Sequence, residues 1–450
     1  MKKFLFFLTV GLVLVLLAAP WLLGSFTESR IEETMTLRDD ADPGIAVVTE
    51  EYRRRWFSSD SRHRVVVTDP RMAQALRELA GGETFADQPA LIIDTRIEHG
   101  PLTSGADGAR TPGLSRAVST FTLEAGNRGD PIPLPGRLVT TMALDGSTDL
   151  LFTMESGVYR LPERSGTLSW QGAHVEGNLS PDARTVTLSG IIRPIRLEGV
   201  ENRTGAVPVV DIGAIDLVSE QRYTVYGIPV GSAAAEIAHV TVDGGTAGIR
   251  AEEIRFSADS GISDDLLSAT TELRIARLRG PGDGTANLAI DVELGNLHAP
   301  SLQAIAETGR RLQAKASAVS KSEWYRAVEA DLARLVEAGP VLDLRDLVLG
   351  LPDGEARLKS YVAIAAGGAP VTNIDARALI DRLTATLELR VPEPLLARAM
   401  EIVPEFAEEL EMLVAMGVLR EDEDDYRLEA EYGNRLLTIN GLPVPIPFGL

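Results

Sequence analysis

The chain has 450 residues, a formal net charge of −21 and an isoelectric point near 4.8. That acidity argues against nucleic acid as a partner and against adhesion to anionic lipid by charge alone. The absence of cysteine excludes disulfides and thiolate metal sites.

The chain opens on Lys2 and Lys3 and an uncharged run, Phe4–Gly24. At about 1.5 Å per residue, roughly 20 residues cross the ~30 Å hydrocarbon core of a bilayer. The run is longer than the roughly 7–15 apolar residues of a cleaved signal, and Leu17 stands where a cut after Ala19 wants a small side chain. The expectation is an uncleaved transmembrane anchor over 4–24 behind a cytoplasmic stub of residues 1–3. Glu28, Arg30, Glu32 and Glu33 follow and are net acidic, so the positive-inside bias places residues from about 25 onward outside the cytoplasm.

Residues 25–50 read as a polar, acidic approach, with Ile31, Met35 and Leu37 spaced for a short amphipathic helix. Arg53, Arg54, Arg55, Arg62 and Arg64 form the one basic cluster, interleaved with Tyr52, Trp56 and Phe57. Such a cluster can meet anionic headgroups or an acidic partner near a membrane. Alternatively Trp56 and Phe57 anchor a core while the arginines face solvent or pair with carboxylates. Val65 and Val67 alternate with polar residues, as on a half-buried strand. Asp69 and Pro70 open a short helix over Arg71–Ala80, which Gly81-Gly82 ends. Ala90–Ile97 is another strand, closing on His99-Gly100-Pro101.

From about Thr120 to Leu297 short alternating runs and turn residues spell strand almost throughout. One arrangement recurs: apolar, x, apolar, x, x, apolar, x, apolar. It stands at Val210–Leu217, Ile249–Phe256, Val292–Ala299 and Leu342–Leu349. Strict period 2 would flip the apolar face at the doubled step, so a bulge or bend is predicted there. Ser301–Ala338 is helical, with Ser320 and Glu323 as a capping box opening the second helix. Leu342–Leu351 and Ala356–Ile364 form a hairpin. Ile374–Arg382 reads as a helix, Leu383–Val391 as a strand, and Pro394–Ala415 as a helix interrupted by Pro404. Strands Tyr426–Tyr432 and Leu437–Ile439 close the chain around a turn at Gly433-Asn434. The Pro443–Pro447 stretch cannot continue as a central strand.

The fold expected is α+β, mainly β. It is an elongated antiparallel meander of long bent strands, with helices in the C-terminal third, behind one N-terminal transmembrane helix. Its divisions are a β-rich region over 25–300, a helical segment over 301–340, and an α+β region over 341–450 that completes the same fold.

Three motifs stand in order behind the anchor: Tyr52-x-Arg54-x-Trp56-Phe57-x-Ser59, His99-Gly100-Pro101, and Leu437-Thr-Ile439-Asn440-Gly441-x-Pro443. Together they resemble the bacterial YdgA family, of unknown function, over essentially the whole chain. Arg55 stands where that family favours Gly, and Arg71–Ala80 reads as an insertion. The resemblance implies a protein anchored in the bacterial inner membrane by a single pass, N-terminus in the cytoplasm, with its bulk in the periplasm. It supplies no catalytic residues.

The chemistry in the sequence is sparse. None of His63, His99, His174, His239 and His298 pairs with another or with a carboxylate at helical metal spacing. No nucleophile elbow or phosphate-cradling loop is present, and Glu421–Asp425 lacks the glycine and spacing of a calcium loop. No catalytic residue, metal or cofactor is therefore expected. Arg54, Trp56, Phe57 and His99 stand as candidates for ligand or partner binding, and for His99 the competing reading is a turn residue holding a structural hydrogen bond. The function expected is non-enzymatic: an envelope-maintenance protein that binds or guides a lipid or other apolar ligand along a β groove. The alternative is a scaffold that binds other envelope proteins or itself.

Overall fold

A computed structural model describes residues 45–55, 58–67, 90–99, 102–104, 110–124, 131–160, 166–199, 209–243, 248–280, 284–313, 320–367, 376–402 and 405–444. The anchor expected at 4–24, the amphipathic stretch around Ile31–Leu37, the helix at Arg71–Ala80, and Trp56, Phe57, Gly100 and Pro101 lie outside them. Among the described residues no helix is long and apolar enough to cross a membrane. The chain is mainly β and its strand pairings are antiparallel. Two compact units divide it, one built mostly from residues up to Arg222 and the other mostly from Tyr223 onward.

The first unit opens on β1 (Ile45–Arg54), β2 (Ser58–Val67) and β3 (Ala90–His99). After a small pair, β4 (Leu102–Ser104) with β5 (Arg110–Pro112), come β6 (Ser115–Glu124), β7 (Ile132–Met142), β8 (Thr148–Met154), β9 (Gly157–Arg160) and β10 (Thr167–Trp170). They are followed by β11 (Ala173–Leu179), β12 (Thr185–Ile192), β13 (Ile195–Glu198), β14 (Val209–Ile212) and β15 (Ile215–Tyr223). Pairing runs β1–β2–β3–β6–β7–β8–β11–β12–β15, with a side ladder β9–β10–β13–β14. Residues 45–50, expected as part of the approach, are a strand instead. Ile45, Ala46 and Val47 pair with Val67, Val66 and Val65, and β-branched side chains suit that half-buried surface.

One face of this sheet is buried. Val65, Ile93, Phe121 and Leu138 form its apolar centre, with Val47, Leu91 and Phe152 against them. Phe121 and Phe152 meet edge to face, centroids 6.3 Å apart. Each such fully buried aliphatic side chain contributes about 2 kcal/mol. Beside this centre the same face carries buried small polar groups: Ser59, Ser61, His63, Thr95, Ser119, Thr140 and Thr148. Thr95 and Ser119 meet at 2.8 Å between hydroxyls, and His63 lies between Thr49 (3.1 Å) and Ser61 (3.0 Å).

The second unit is dominated by long strands. After β16 (Pro229–Asp243), which is divided between the units, come β17 (Ile249–Ser263), β18 (Leu266–Arg279), β19 (Thr285–His298), β20 (Val341–Leu351), β21 (Gly354–Ile364) and β22 (Leu383–Pro392). Short β23 (Arg420–Asp422), β24 (Asp425–Gly433), β25 (Leu436–Ile439) and β26 (Leu442–Val444) complete the set. From β17 to β22 each strand pairs with the next, β22 then pairs with β24, and β23 and β25 join β24 on its other side.

The described helices all fall in the last third: α1 (Ala299–Gln313), α2 (Lys321–Glu337), α3 (Ala376–Arg382), α4 (Glu393–Ile402) and α5 (Glu405–Ala415). The capping box opens α2, as the Ser320–Glu323 spacing predicts. The doubled steps are bent, as the recurring pattern predicts. At Val292–Ala299 and Leu342–Leu349 the ladder register slips by one residue, with Asn296 in the left-handed region at φ +56°. Glu253 in the Ile249–Phe256 copy has φ +53°, and in the Val210–Leu217 copy the chain breaks between β14 and β15.

The closing motif has a structural explanation. Asn440 and Gly441, at φ +50° and +77°, make the two-residue turn between β25 and β26. The Asn440 carboxamide accepts from the Glu429 amide (2.9 Å) and donates to the carbonyls of Gly417 (2.9 Å) and Val418 (3.0 Å). Asn440→Ala is expected to cost about 2 kcal/mol in urea unfolding, through three lost bonds and a side chain ill-suited to positive φ; Asn440→Gly, which relieves the backbone, is expected to cost less. Equal losses would contradict this account. Pro443 sits in β26, which pairs only with β25 among the described residues, the edge setting that proline tolerates. The preceding turn is shifted by one residue from the Gly433-Asn434 expectation. Asn434 and Arg435 occupy it at φ +52° and +64°, while Gly433 ends β24. An ion pair from Arg435 to Asp381 holds the arginine there.

Candidate functional site

Two regions of the molecule bear on function. The first lies at one end of the buried face in the first unit, and it gathers residues of the two N-terminal motifs. Arg54 on β1 is the cross-strand partner of Ser59 on β2, and His99 on β3 is the partner of Ser115 on β6. The Tyr52 hydroxyl donates to Ser59 Oγ at 3.2 Å, and Ser59 Oγ meets His99 Nε2 at 2.8 Å. Residues 52, 59 and 99, far apart in sequence, are thus one hydrogen-bonded chain. Burial, and next the neighbouring Arg54 charge, lower the His99 pKa from its ordinary value. A serine–histidine contact of this length also serves nucleophilic catalysis, but Ser59 has no exposed surface, so the contact alone assigns no reaction.

Of the four candidates named from sequence, the structure places Arg54 and His99 in this one neighbourhood. Trp56 and Phe57 lie outside the described residues. Most of the basic cluster is ion-paired: Arg53 with Glu51, Arg55 with Asp60 (3.1 Å), Arg62 with Asp94 (2.7 Å), and Arg64 with Glu50 and Glu124. Among the described residues Arg54 is the member without a carboxylate partner. Ser59 and Ser115 were not among the candidates. Ser59 was visible as a motif position, whereas Ser115 carries no sequence signal.

The second region is one face of the long-stranded sheet. Ladder register aligns Phe256, Leu273, Ile290, Leu347, Leu358, Leu389 and Leu428 in a single row across seven strands. A neighbouring row runs Ile254, Ile275, Leu288, Leu349, Ala356. The opposite face is charged and cross-linked, with Arg345 on Glu293, Arg357 on Asp346 and Arg390 on Asp425. Antiparallel sheets often carry one apolar and one solvated face, but the apolar one is normally packed on a core. Here its central residues are half-buried and Phe256 is 41% exposed. Helices α4 and α5 close the row at one end, where Leu396, Leu410 and Leu419 pack with Val391, Tyr426 and Leu428. At ~4.8 Å between strands, six steps make the row roughly 29 Å long. An open hollow of about 210 Å³ beside it, lined by Ile275 and Leu288 with Arg255 and Arg274, is smaller than the roughly 300–1,000 Å³ of ligand pockets. The row is therefore an open face and not an enclosed cavity.

Among the described residues no group of three or more His, Asp or Glu is placed to hold a metal ion. No match to a curated protein or to a solved structure was found. A family model covers residues 1–447, spanning both regions and all three motifs, and the chain belongs to that family, DUF945, a bacterial protein family of unknown function.

Proposed function

We propose that this protein is a non-enzymatic envelope protein of the YdgA type, held in the bacterial inner membrane by residues 4–24, whose periplasmic β body binds or guides a lipid or other apolar ligand. The observation that carries the reading is the row from Phe256 to Leu428, an aliphatic surface left half-open on a sheet whose other face is charged. Burial of such surface yields roughly 25 cal/mol per Å², so leaving it open has a cost that an apolar ligand removes. A single acyl chain spans about half of the ~30 Å hydrocarbon core, and the row is long enough to seat one. The uncharged run behind Lys2 and Lys3 supports the anchor and its orientation.

Mass spectrometry of lipid co-purified with the full chain tests the proposal. Wild type is expected to retain lipid, and Leu347→Asp and Leu358→Asp to lose it about tenfold, since a carboxylate in an apolar contact costs more than 1.4 kcal/mol. Circular dichroism is expected to stay unchanged. Equal lipid in wild type and both variants would overturn the proposal. If crosslinking in membranes instead recovers a protein partner or a second copy through these same leucines, the scaffold reading takes its place.

A further inference from the structure

We infer that the Arg54–His99–Ser115 neighbourhood in the first unit is a binding site for an oxyanion, either a free phosphate or the phosphate of a lipid headgroup. Donors without acceptors gather there, independently of the apolar face of the second unit. Tyr52 donates its hydroxyl hydrogen to Ser59 Oγ. Ser59 is then free to direct its own hydrogen at His99 Nε2, 2.8 Å away. A ring nitrogen that accepts belongs to a neutral imidazole, whose single proton sits on the other nitrogen. His99 therefore presents Nδ1–H as a donor, and among the described residues nothing accepts from it.

Two further donors share that end of the sheet. Ser115, the cross-strand partner of His99, is 2% exposed, and its Oγ has no hydrogen-bond partner. A buried hydroxyl without a partner is costly and calls for one. Arg54, the cross-strand partner of Ser59, lies close enough to His99 for its charge to act on the ring. Its guanidinium is a fixed fork that matches carboxylate and phosphate oxygens, and among the described residues it is the cluster member no carboxylate occupies. The set is a guanidinium, an imidazole N–H and a hydroxyl. A purely apolar ligand satisfies none of these groups and a cation at most the hydroxyl; an anion with several acceptor oxygens satisfies all three. Ser59 and Tyr52 act as positioning residues that fix which His99 nitrogen carries the proton.

The test is a titration of the full-length chain with inorganic phosphate, read by the His99 imidazole resonances, beside the same resonances in chain reconstituted in vesicles with and without phosphatidic acid. A saturable shift of His99 is expected, weakened about tenfold in both Arg54→Gln and Ser115→Ala, the loss of one charge-assisted or buried hydrogen bond. Arg54 is exposed, so Arg54→Gln keeps the fold and remains informative if Ser115→Ala does not. Saturable phosphate binding assigns a free anion. A His99 shift that requires phosphatidic acid and is lost in Arg54→Gln, without a response to inorganic phosphate, assigns a headgroup. Absence of both, or binding undiminished in Arg54→Gln, overturns the site.

Discussion

Replacing Gly190 by alanine is expected to destabilise the first unit by about 3 kcal/mol, the upper end of what an overpacked side chain costs. Gly190 lies in β12 between β11 and β15, opposite Val175 and Leu217. A Cβ built there would stand 2.6 Å from Val175 Cα and closer still to the His174 carbonyl oxygen. Those are backbone atoms of the adjacent strand, and they cannot turn away as a flexible side chain can. The sheet has to part locally or lose ladder bonds. Chemical denaturation of Gly190→Ala beside Gly261→Ala checks this, because a Cβ at Gly261 meets nothing within 4 Å. Equal midpoints would show that the β11–β12 approach is looser than its geometry.

The second large effect is acid sensitivity centred on His63. This ring is 2% exposed, and burial lowers its pKa to about 4, against the smaller opposing influence of Asp94. In the unfolded chain the same group titrates near 6.5. Above that pH both states hold it neutral and it contributes no pH dependence. As pH falls from 6.5 toward 4, the unfolded chain takes up a proton that the folded state refuses, so stability drops through that window. By pH 4.5 the loss amounts to about 2–3 kcal/mol. His63→Gln keeps hydrogen-bonding capacity toward Thr49 and Ser61 but does not titrate. Urea melts of both proteins at pH 7 and pH 4.5 are expected to show a smaller acid loss in the variant. Identical losses would place the sensitivity elsewhere, among the protein's many carboxylates.

Both predictions turn on features that hydropathy does not encode. In β2 the inward residues are Ser59, Ser61, His63 and Val65, and the outward ones Asp60, Arg62 and Arg64. Only the valine announces which face is buried. Polar residues on both faces blur the period-2 signal, and the burial of the small hydroxyls depends on partners in other strands. The same limit hid Ser115, whose significance comes from the strand beside it. Trp56 and Phe57 stand beside the arginines in one sequence cluster, whereas Ser59 gains its role only where Tyr52 and His99 converge on it.

Local rules carried much further where the signal repeats along the chain itself. The Ser320–Glu323 box, the hairpin at Pro352-Asp353 and the bends at the doubled polar steps all depend on residues a few positions apart. Amino-acid order was enough for the β class, the antiparallel pairing of the long strands, the helices of the last third, and the acidic, cysteine-free composition. Tertiary structure alone decided that Phe256 and Leu428, 172 positions apart, share one apolar row, and that Tyr52, Ser59, His99 and Ser115 meet at one end of a sheet. The reason is physical. Alternation tells which side chains share a face of one strand, but the register between strands sets which faces and residues become neighbours, and that register is fixed by the packing of the whole sheet.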